Sequence, residues 1–199
     1  MIERYYDMPI KRPILNDEFF YESYRHDWTT YGRYNEFDQR RTIWECILSG
    51  VTGGIVYGGQ GIWSWYRRGK QSVDRDRFGP SLTAQSAMRM EGSWEGSFAR
   101  FIVETFDLFA LVPCRGMCHA DELGRPKLRM AKSPDHSKML VYLPYSIPFT
   151  IDGDYSGYKF TLIELKNKRF CSPFVHFEDG KTKIEMYDAN ADALLIGAK

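Results

Sequence analysis

The stretch Pro13-Ile14-Leu15-Asn16-Asp17-Glu18 decides how the first half of the chain is interpreted. Together with Ile10, its aliphatic residues predict a strand over residues 10–18, because such side chains favour strands and the Asn-Asp pair favours a turn. The predicted strand ends at a carboxylate, Glu18. A long loop of aromatic and polar residues follows over residues 19–34.

A helix is predicted after this loop. Asn35 is a candidate N-cap, and Asp38 lies three residues further along, as in a capping box. Gly50 provides a C-terminal stop. Between them, apolar residues recur on one helical face, which consists of Ile43, Trp44, Ile47 and Leu48.

A second strand is predicted within residues 53–61, where a short apolar segment runs into a glycine-rich loop. The order strand, long loop, helix, strand, long loop predicts a parallel α/β arrangement whose loops lie at the carboxyl ends of the strands. A further helical stretch is predicted over residues 81–109, with interruptions near Gly92 and Gly96.

The pattern changes near residue 116. Short apolar segments alternate there with turn signals such as Asp179-Gly180, which predicts an antiparallel β-sandwich of about seven strands. We therefore expect two domains, residues 1–115 and residues 116–199. The predicted strands are 128–131, 139–143, 148–151, 158–165, 170–177, 183–187 and 193–196.

The composition is typical of a globular protein and argues against nucleic acid and membranes as partners. The net charge of +1 provides no field that would attract nucleic acid or an anionic membrane. No apolar stretch is long enough to span a membrane, and the polar N-terminus predicts no signal peptide. Localisation stays open, because full-length relatives could begin further upstream and be secreted. Aromatic residues make up 16% of the chain, which suits either a sugar-binding surface or an aromatic-rich core.

The cysteines raise the question of a metal site. Cys114, Cys118 and the adjacent His119 lie close in sequence, but no second Cys/His pair completes a tetrahedral set. The four cysteines of the chain are also too scattered for a disulfide scaffold. We interpret them as free or incidentally paired thiols and expect no metal.

Several segments resemble the apiosidase-like glycoside hydrolases (glycoside hydrolase family 140). Residues 13–22 resemble the family segment PVLNGEPxYE, residues 38–50 its helix D-x-R-R-x-x-W-x-x-L-x-G, and residues 57–65 its segment TYG…GIW. Residues 86–113 are similar to the final helix of the family. The β-rich remainder is similar to its C-terminal sandwich, which is often labelled collagen-binding.

This resemblance implies an α/β plus all-β fold. The expected architecture is the C-terminal quarter of a (β/α)8 barrel, namely its seventh and eighth strand–helix units, followed by a small antiparallel β-sandwich. The resemblance also implies that a retaining member carries its nucleophile at the end of strand seven and its acid/base at strand four. Strand four lies outside this sequence.

Glu18 stands at the position that the resemblance assigns to the nucleophile. Glu22 is the alternative catalytic carboxylate, or else a group that orients Glu18 or binds a sugar hydroxyl. Asp17 is interpreted as a turn residue. Without the motif, a glutamate at a strand end would be interpreted as a solvated loop carboxylate.

The candidate sugar-binding residues are aromatic, apart from one histidine and one amide. Trp63 and Trp65 lie two residues apart and would face the same side of an extended segment. The alternative interpretation of such residues is core packing. The full set is Tyr21, His26, Trp28, Tyr57, Gln60, Trp63 and Trp65.

Two functional hypotheses follow. In the first, the chain is part of a retaining glycoside hydrolase that acts on polysaccharide side chains, needs no cofactor and receives its acid/base from outside this chain. In the second, it is a non-catalytic carbohydrate-binding or structural module left from a truncated glycosidase.

A partial barrel would expose strand edges, so we expect a second chain or self-association to complete it. The sequence leaves the sugar and its linkage undetermined.

Overall fold

The computed structural model describes residues 2–25, 32–73, 79–120, 128–185 and 192–199. The chain divides into two compact units. The first, here called the β unit, comprises Met1–Asp7, Ile47–Gly50 and Phe106–Lys199. The second, called the α/β unit, comprises Met8–Cys46 and Val51–Thr105. The division into domains at residue 115 stays a prediction.

The α/β unit contains a short parallel pair of strands. Strand β1 (Leu15–Asn16) pairs with β2 (Gly54–Ile55), and a helix lies between them in the sequence. The predicted parallel order of strand, helix and strand is therefore confirmed. The predicted extent of the first strand is wrong, because only Leu15–Asn16 forms β1 and Ile10 is exposed. Pro13 lacks an N–H group and cannot extend the ladder as a donor.

Helix α2 (Glu36–Leu48) begins where the sequence predicts. Oδ1 of Asn35 accepts hydrogen bonds from the N–H groups of Phe37 and Asp38, at 3.0 and 3.2 Å. The N–H of Asn35 in turn donates to Oδ2 of Asp38 at 3.0 Å. This reciprocal cap is confirmed. Beyond the helix, Gly50 has a positive φ of 97°, as expected for a glycine stop.

Two further helices complete the α/β unit. Helix α3 spans Ala84–Ala87 and α4 spans Gly92–Thr105, so the predicted helical stretch is divided before Gly92. The predicted interruption near Gly96 is wrong, because α4 continues through this residue. Arg40 of α2 forms an ion pair with Glu95 of α4 at 3.4 Å, and both side chains are buried.

The β unit consists of a short helix and two antiparallel sheets. Its elements are α1 (Ile2–Tyr6), β3 (Val112–Cys114), β4 (Cys118–His119), β5 (Arg129–Lys132), β6 (Lys138–Leu143), β7 (Phe149–Asp152), β8 (Lys159–Glu164), β9 (Arg169–Cys171), β10 (Phe174–Glu178), β11 (Lys181–Glu185) and β12 (Ala193–Ala198). The six-stranded sheet has the order β3-β5-β6-β12-β8-β9, and the four-stranded sheet the order β10-β11-β7-β4.

One hydrophobic core joins the two sheets. Val141 and Leu195 of the six-stranded sheet belong to the same buried cluster as Ile151 and Ile184 of the four-stranded sheet. The prediction of short antiparallel strands is confirmed. The segment 170–177, predicted as one strand, is two strands in different sheets, because Pro173 cannot donate to a ladder. None of the helices in the described ranges is long and apolar enough to cross a membrane.

Candidate active site

The loops after β1 and β2 pair with each other a second time. The N–H of Glu22 donates to the carbonyl of Gly58, and the N–H of Gln60 donates to the carbonyl of Glu22, both at 2.9 Å. This single parallel bridge holds residues 18–22 and 57–60 at the carboxyl ends of the two strands. The sequence predicted this location for the candidate site.

Glu18 is exposed and lies in the loop two residues beyond the end of β1. The expectation that it closes the strand is therefore wrong, since β1 ends at Asn16. The hydroxyl of Tyr21 donates to Oε1 of Glu18 at 3.2 Å. Burial raises the pKa of Tyr21, and the charge and hydrogen bond of Glu18 raise it further.

Glu22 is buried, with 6% of its surface exposed. Its Oε2 accepts a hydrogen bond of 2.6 Å from the hydroxyl of Tyr57 and one of 3.0 Å from the N–H of Gly92. Its Oε1 lies 3.2 Å from the same N–H. Burial raises the pKa of Glu22, while the Tyr57 and Gly92 hydrogen bonds oppose that shift and the charges of Glu36 and Glu91 add to it.

The contact with Glu22 also affects the pKa of Tyr57. Burial raises the pKa of this phenol, and the hydrogen bond to Glu22 and the charge of Glu22 raise it further. Tyr57 therefore stays protonated and remains a hydrogen-bond donor to Glu22. Three segments meet at this carboxylate: the loop after β1, the loop after β2 and the first residue of α4.

Two glycines make these contacts sterically feasible. A Cβ at Gly92 would overlap the Glu22 carboxylate and would lie 2.6 Å from Cγ of Gln39. A Cβ at Gly58 would overlap the ring of Tyr21. The position of Glu22 against α4 and the position of Tyr21 beside Glu18 therefore each depend on a residue without a side chain.

Gln60, a candidate for sugar binding, is buried, with 1% of its surface exposed. Its Oε1 accepts from Nη1 of Arg33 at 2.9 Å, and its Nε2 donates to the carbonyl of Gly79 at 2.9 Å. Arg33 also donates to the carbonyls of Pro80 and Ser23. Burial, followed by the charge of Arg25, lowers the pKa of Arg33.

The aromatic candidates form a run that begins beside Glu18. The ring centroids of Tyr21 and Tyr24 are 4.9 Å apart, and Tyr24 meets Trp63 edge-on at 6.4 Å. Trp63 and Trp65 are 46% and 53% exposed. The two residues do not lie in an extended segment, because residues 61–65 form a turn. His26 and Trp28 lie outside the described residues.

Some members of this site were missed by the sequence analysis. Tyr24, Arg33 and Gln39 lie in ordinary positions of a loop and a helix, and no spacing or motif marks them. Gly92 was noted only as an interruption of a helix. Its contact with Glu22 spans 70 residues of sequence, which no local pattern indicates.

A family model for the apiosidase-like catalytic domain matches residues 1–110. The chain belongs to the apiosidase-like family. A solved structure described as a glycoside hydrolase matches the whole chain with a TM-score of 0.79 at 18% identity, and the chain covers 45% of that protein. A glycoside hydrolase family 5 structure from Bacteroides vulgatus ATCC 8482 matches 98% of the chain with a TM-score of 0.77 at 22% identity, and 43% of it is covered.

The chain thus spans less than half the length of these two structures, and likenesses at this identity show the fold alone. No curated protein sequence matches the chain. The family membership supports a glycosidase-related function for this member of the apiosidase-like family. The structural likeness shows a fold with a β-rich part of the kind found in glycoside hydrolases.

The cysteines of this apiosidase-like chain are free thiols. Burial raises the pKa of Cys118 to about 12, so that it stays protonated. Nε2 of His119 lies 2.7 Å from Oδ2 of Asp152. Among the described residues, no group of three or more His, Cys, Asp or Glu side chains is arranged to hold a metal ion.

Proposed function

We propose that the chain is part of a retaining glycoside hydrolase that acts on polysaccharide side chains, with Glu18 as its nucleophile. The contrast between the two carboxylates of the site supports this assignment. Glu18 is exposed and its Oε1 accepts from Tyr21, whereas Glu22 is buried among donors that hold it in place. An attacking carboxylate needs an accessible oxygen, which Glu18 offers.

In this mechanism a carboxylate oxygen of Glu18 attacks the anomeric carbon while the bond to the leaving oxygen breaks. A carboxylic acid from outside this chain protonates the leaving oxygen. The resulting glycosyl ester of Glu18 is then hydrolysed by water, which the same outside group deprotonates. A retaining pair requires the two carboxyl groups to be about 5 to 5.5 Å apart. No metal or organic cofactor enters these steps.

We further propose that β1 and β2 are the seventh and eighth strands of a (β/α)8 barrel of the glycoside hydrolase family 140 type, followed from about residue 116 by the β-sandwich. The parallel pairing of β1 with β2 across α2 supports this assignment. A second chain or self-association would supply the remaining strands and the acid/base.

The other residues of the site receive supporting roles in this proposal. Glu22 is a positioning residue rather than a second catalytic carboxylate, because it anchors the two loops to α4. Tyr57 and Gln60 hold those loops, since their polar groups contact the protein itself. Tyr21, Trp63 and Trp65 are left to contact the sugar.

A non-catalytic carbohydrate-binding module is the second candidate. The observation that favours it is the small size of the parallel sheet, which has two strands among the described residues. Leu15 within β1 and Val56 directly after β2 are both exposed. Such a module would keep the aromatic sugar contacts and lack turnover.

Glycosides with a 2,4-dinitrophenyl leaving group separate the two candidates. This leaving group departs without protonation, so the chain can be assayed in the absence of the outside acid. We expect a burst of dinitrophenol from the wild type, and a Glu18→Gln variant should reduce its rate by at least roughly 1000-fold. Asp17→Asn, next to Glu18, is the matched control and should keep the rate. Equal rates for wild type and Glu18→Gln would exclude Glu18 as the nucleophile.

A further inference from the structure

The sulfur atoms of three residues meet within the β unit. Cys114 is the last residue of β3 and pairs directly with Met130 of β5, so both side chains lie on the same face of the six-stranded sheet. Cys118 is the first residue of β4, in the other sheet, and its Sγ lies 3.6 Å from Sδ of Met130. Two thiols and one thioether are therefore brought together from three strands.

The distance between these sulfur atoms suits a shared metal ion. Free cysteine and methionine commonly fill cores as soft apolar groups, and all three side chains belong to, or pack against, the core that joins the two sheets. Metal–sulfur bonds of about 2.3 Å, however, place neighbouring sulfur ligands about 3.8 to 4.0 Å apart. The observed separation of 3.6 Å is close to this value, so an ion needs only a small movement of the side chains.

A cavity of about 190 Å³ leads to the sulfur atoms. It is lined by the three sulfur residues and also by Arg115 and Gly116, which are exposed. The cavity therefore connects the cluster with the surface of the β unit. Access of this kind is one of the requirements of a metal site, and a tightly closed core does not provide it.

The ammonium group of Lys132 lies close to both thiols. Burial raises the pKa of Cys118 to about 12, the charges of Cys114 and Asp152 raise it further, and the charge of Lys132 opposes them. Burial lowers the pKa of Lys132, but its contact with Tyr155 and the charge of Cys114 raise it overall. One positive charge thus acts on both thiols and would compensate negative charge that develops there when a metal ion replaces their protons.

The donor atoms indicate which ion fits. His119, next to Cys118, is not part of the cluster, because successive residues of a strand face opposite sides and Nε2 of His119 contacts Oδ2 of Asp152 at 2.7 Å. Three sulfur donors remain. Thiolate and thioether ligands select Cu(I), whereas structural zinc almost always takes four ligands and harder ions take oxygen.

We propose that Cys114, Cys118 and Met130 form a binding site for one Cu(I) ion, held by two thiolates and one thioether. On binding, both S–H bonds break, two copper–thiolate bonds form, the two protons pass to solvent, and the copper stays Cu(I). Two negative thiolates and one positive ion leave one negative charge, which Lys132 offsets. The sequence alone predicted no metal for want of a second Cys/His pair, and the thioether supplies the missing ligand.

Transfer of Cu(I) from its coloured bicinchoninate complex, under argon, measures the binding. We expect the wild type to take up one Cu(I) per chain. Met130→Leu, which keeps the side-chain volume, should weaken the affinity at least about tenfold, and Cys118→Ser at least about 100-fold. Cys171→Ser is the matched control and should bind as the wild type does. Cys171 is also a partly buried free thiol against the same core, but it lies on β9, at the opposite edge of the six-stranded sheet from β3.

The affinity for Cu(I) should rise with pH. Because burial raises the pKa of Cys118 to about 12, this thiol gives up a proton on binding throughout the range from pH 6 to 8. We therefore expect the wild-type affinity to rise at least about tenfold per pH unit, and Cys118→Ser to lose about one factor of ten per pH unit from this dependence. An affinity that does not change with pH would overturn the proposal.

X-ray absorption spectroscopy at the copper edge identifies the ligands. We expect three sulfur neighbours in the wild type and two in Met130→Leu, which tests the site even if Cys118→Ser does not fold. No transfer of copper to the wild type, an equal loss of affinity in Cys171→Ser, or nitrogen or oxygen neighbours in place of sulfur would each overturn the proposal. So would a Met130→Leu variant with unchanged affinity and three sulfur neighbours.

Discussion

The hydroxyl of Tyr57 donates a 2.6 Å hydrogen bond to the buried carboxylate of Glu22, which also accepts the first N–H of α4 from Gly92. One carboxylate thereby joins both loops of the candidate site to a helix. A carboxylate at a helix N-terminus is also stabilised by the helix dipole. Glu22 is accordingly the residue on which we expect the geometry around Glu18 to depend.

Replacing Glu22 by alanine should destabilise the protein strongly. The change leaves the Tyr57 hydroxyl and the Gly92 N–H buried without their acceptor, and we expect the free energy of unfolding to fall by about 2 to 4 kcal/mol. Urea unfolding followed by tryptophan fluorescence measures this loss. Glu18→Ala, at an exposed position, should change the same quantity by less than about 0.5 kcal/mol. Equal effects of the two variants would show that Glu22 is not an anchor.

The two glycines of α4 should respond to alanine in opposite directions. A Cβ at Gly92 overlaps the Glu22 carboxylate, so Gly92→Ala should destabilise by about 1 to 3 kcal/mol. At Gly96, no atom of the described residues outside the adjoining helix backbone lies within 4 Å of the added Cβ. Gly96→Ala should therefore stabilise the helix by about 0.5 to 1 kcal/mol. Chemical denaturation of both variants tests this, and a destabilising Gly96→Ala would contradict the described packing of α4.

Stability should depend on pH through Glu22. Burial raises the pKa of Glu22 in the folded protein above its ordinary value of 4.5, so the folded state binds this proton more tightly than the unfolded state. The stability that comes from this raised pKa is therefore fully present below pH 4.5 and is lost as the pH rises through the folded pKa of Glu22. Melting temperatures from pH 4 to 8 should show a wild-type advantage over Glu22→Gln that shrinks with rising pH. Parallel curves for the two proteins would argue against a raised pKa.

The ionisation of Tyr21 reports on its contact with Glu18. Burial is the largest cause of the raised pKa of Tyr21, followed by the charge and the hydrogen bond of Glu18, and Asp17 contributes least. Glu18→Gln should consequently lower the pKa of Tyr21 clearly, and Asp17→Asn should lower it less. Alkaline titration of tyrosine labelled with ¹³C at Cζ measures both shifts, with Tyr21→Phe to assign the signal. The reverse order would mean that Tyr21 does not contact Glu18.

Local rules predicted the parts of the fold that depend on a few neighbouring residues. The cap at Asn35 needs only Asp38, three residues away, and the structure has it. Strands such as Lys138–Leu143 follow from short apolar segments between turns. The first strand was predicted too long, because its extent depends on how far the partner strand β2 can pair, which the segment itself does not contain.

The candidate site was predictable only in outline. Glu18 and Glu22 were both identified as candidates, but the buried Glu22 contacts Gly92, 70 residues further along the chain, whereas Glu18 is exposed. The turn at Trp65 escaped prediction because tryptophan is an unfavourable residue in a left-handed position, and sequence patterns reflect favourable choices. Contacts between distant segments and residues held in strained conformations both lie beyond local sequence rules.

Trapping of the glycosyl-enzyme intermediate tests the role of Glu18 most directly. A 2,4-dinitrophenyl 2-deoxy-2-fluoroglycoside forms a long-lived ester with a nucleophilic carboxylate, and mass spectrometry of a proteolytic digest locates it. We predict that a single glycosyl adduct forms on Glu18 in the wild type and in Asp17→Asn, and that no adduct forms in Glu18→Gln. An adduct on Glu22, or no adduct on the wild-type chain, would contradict the assignment of Glu18 as the nucleophile.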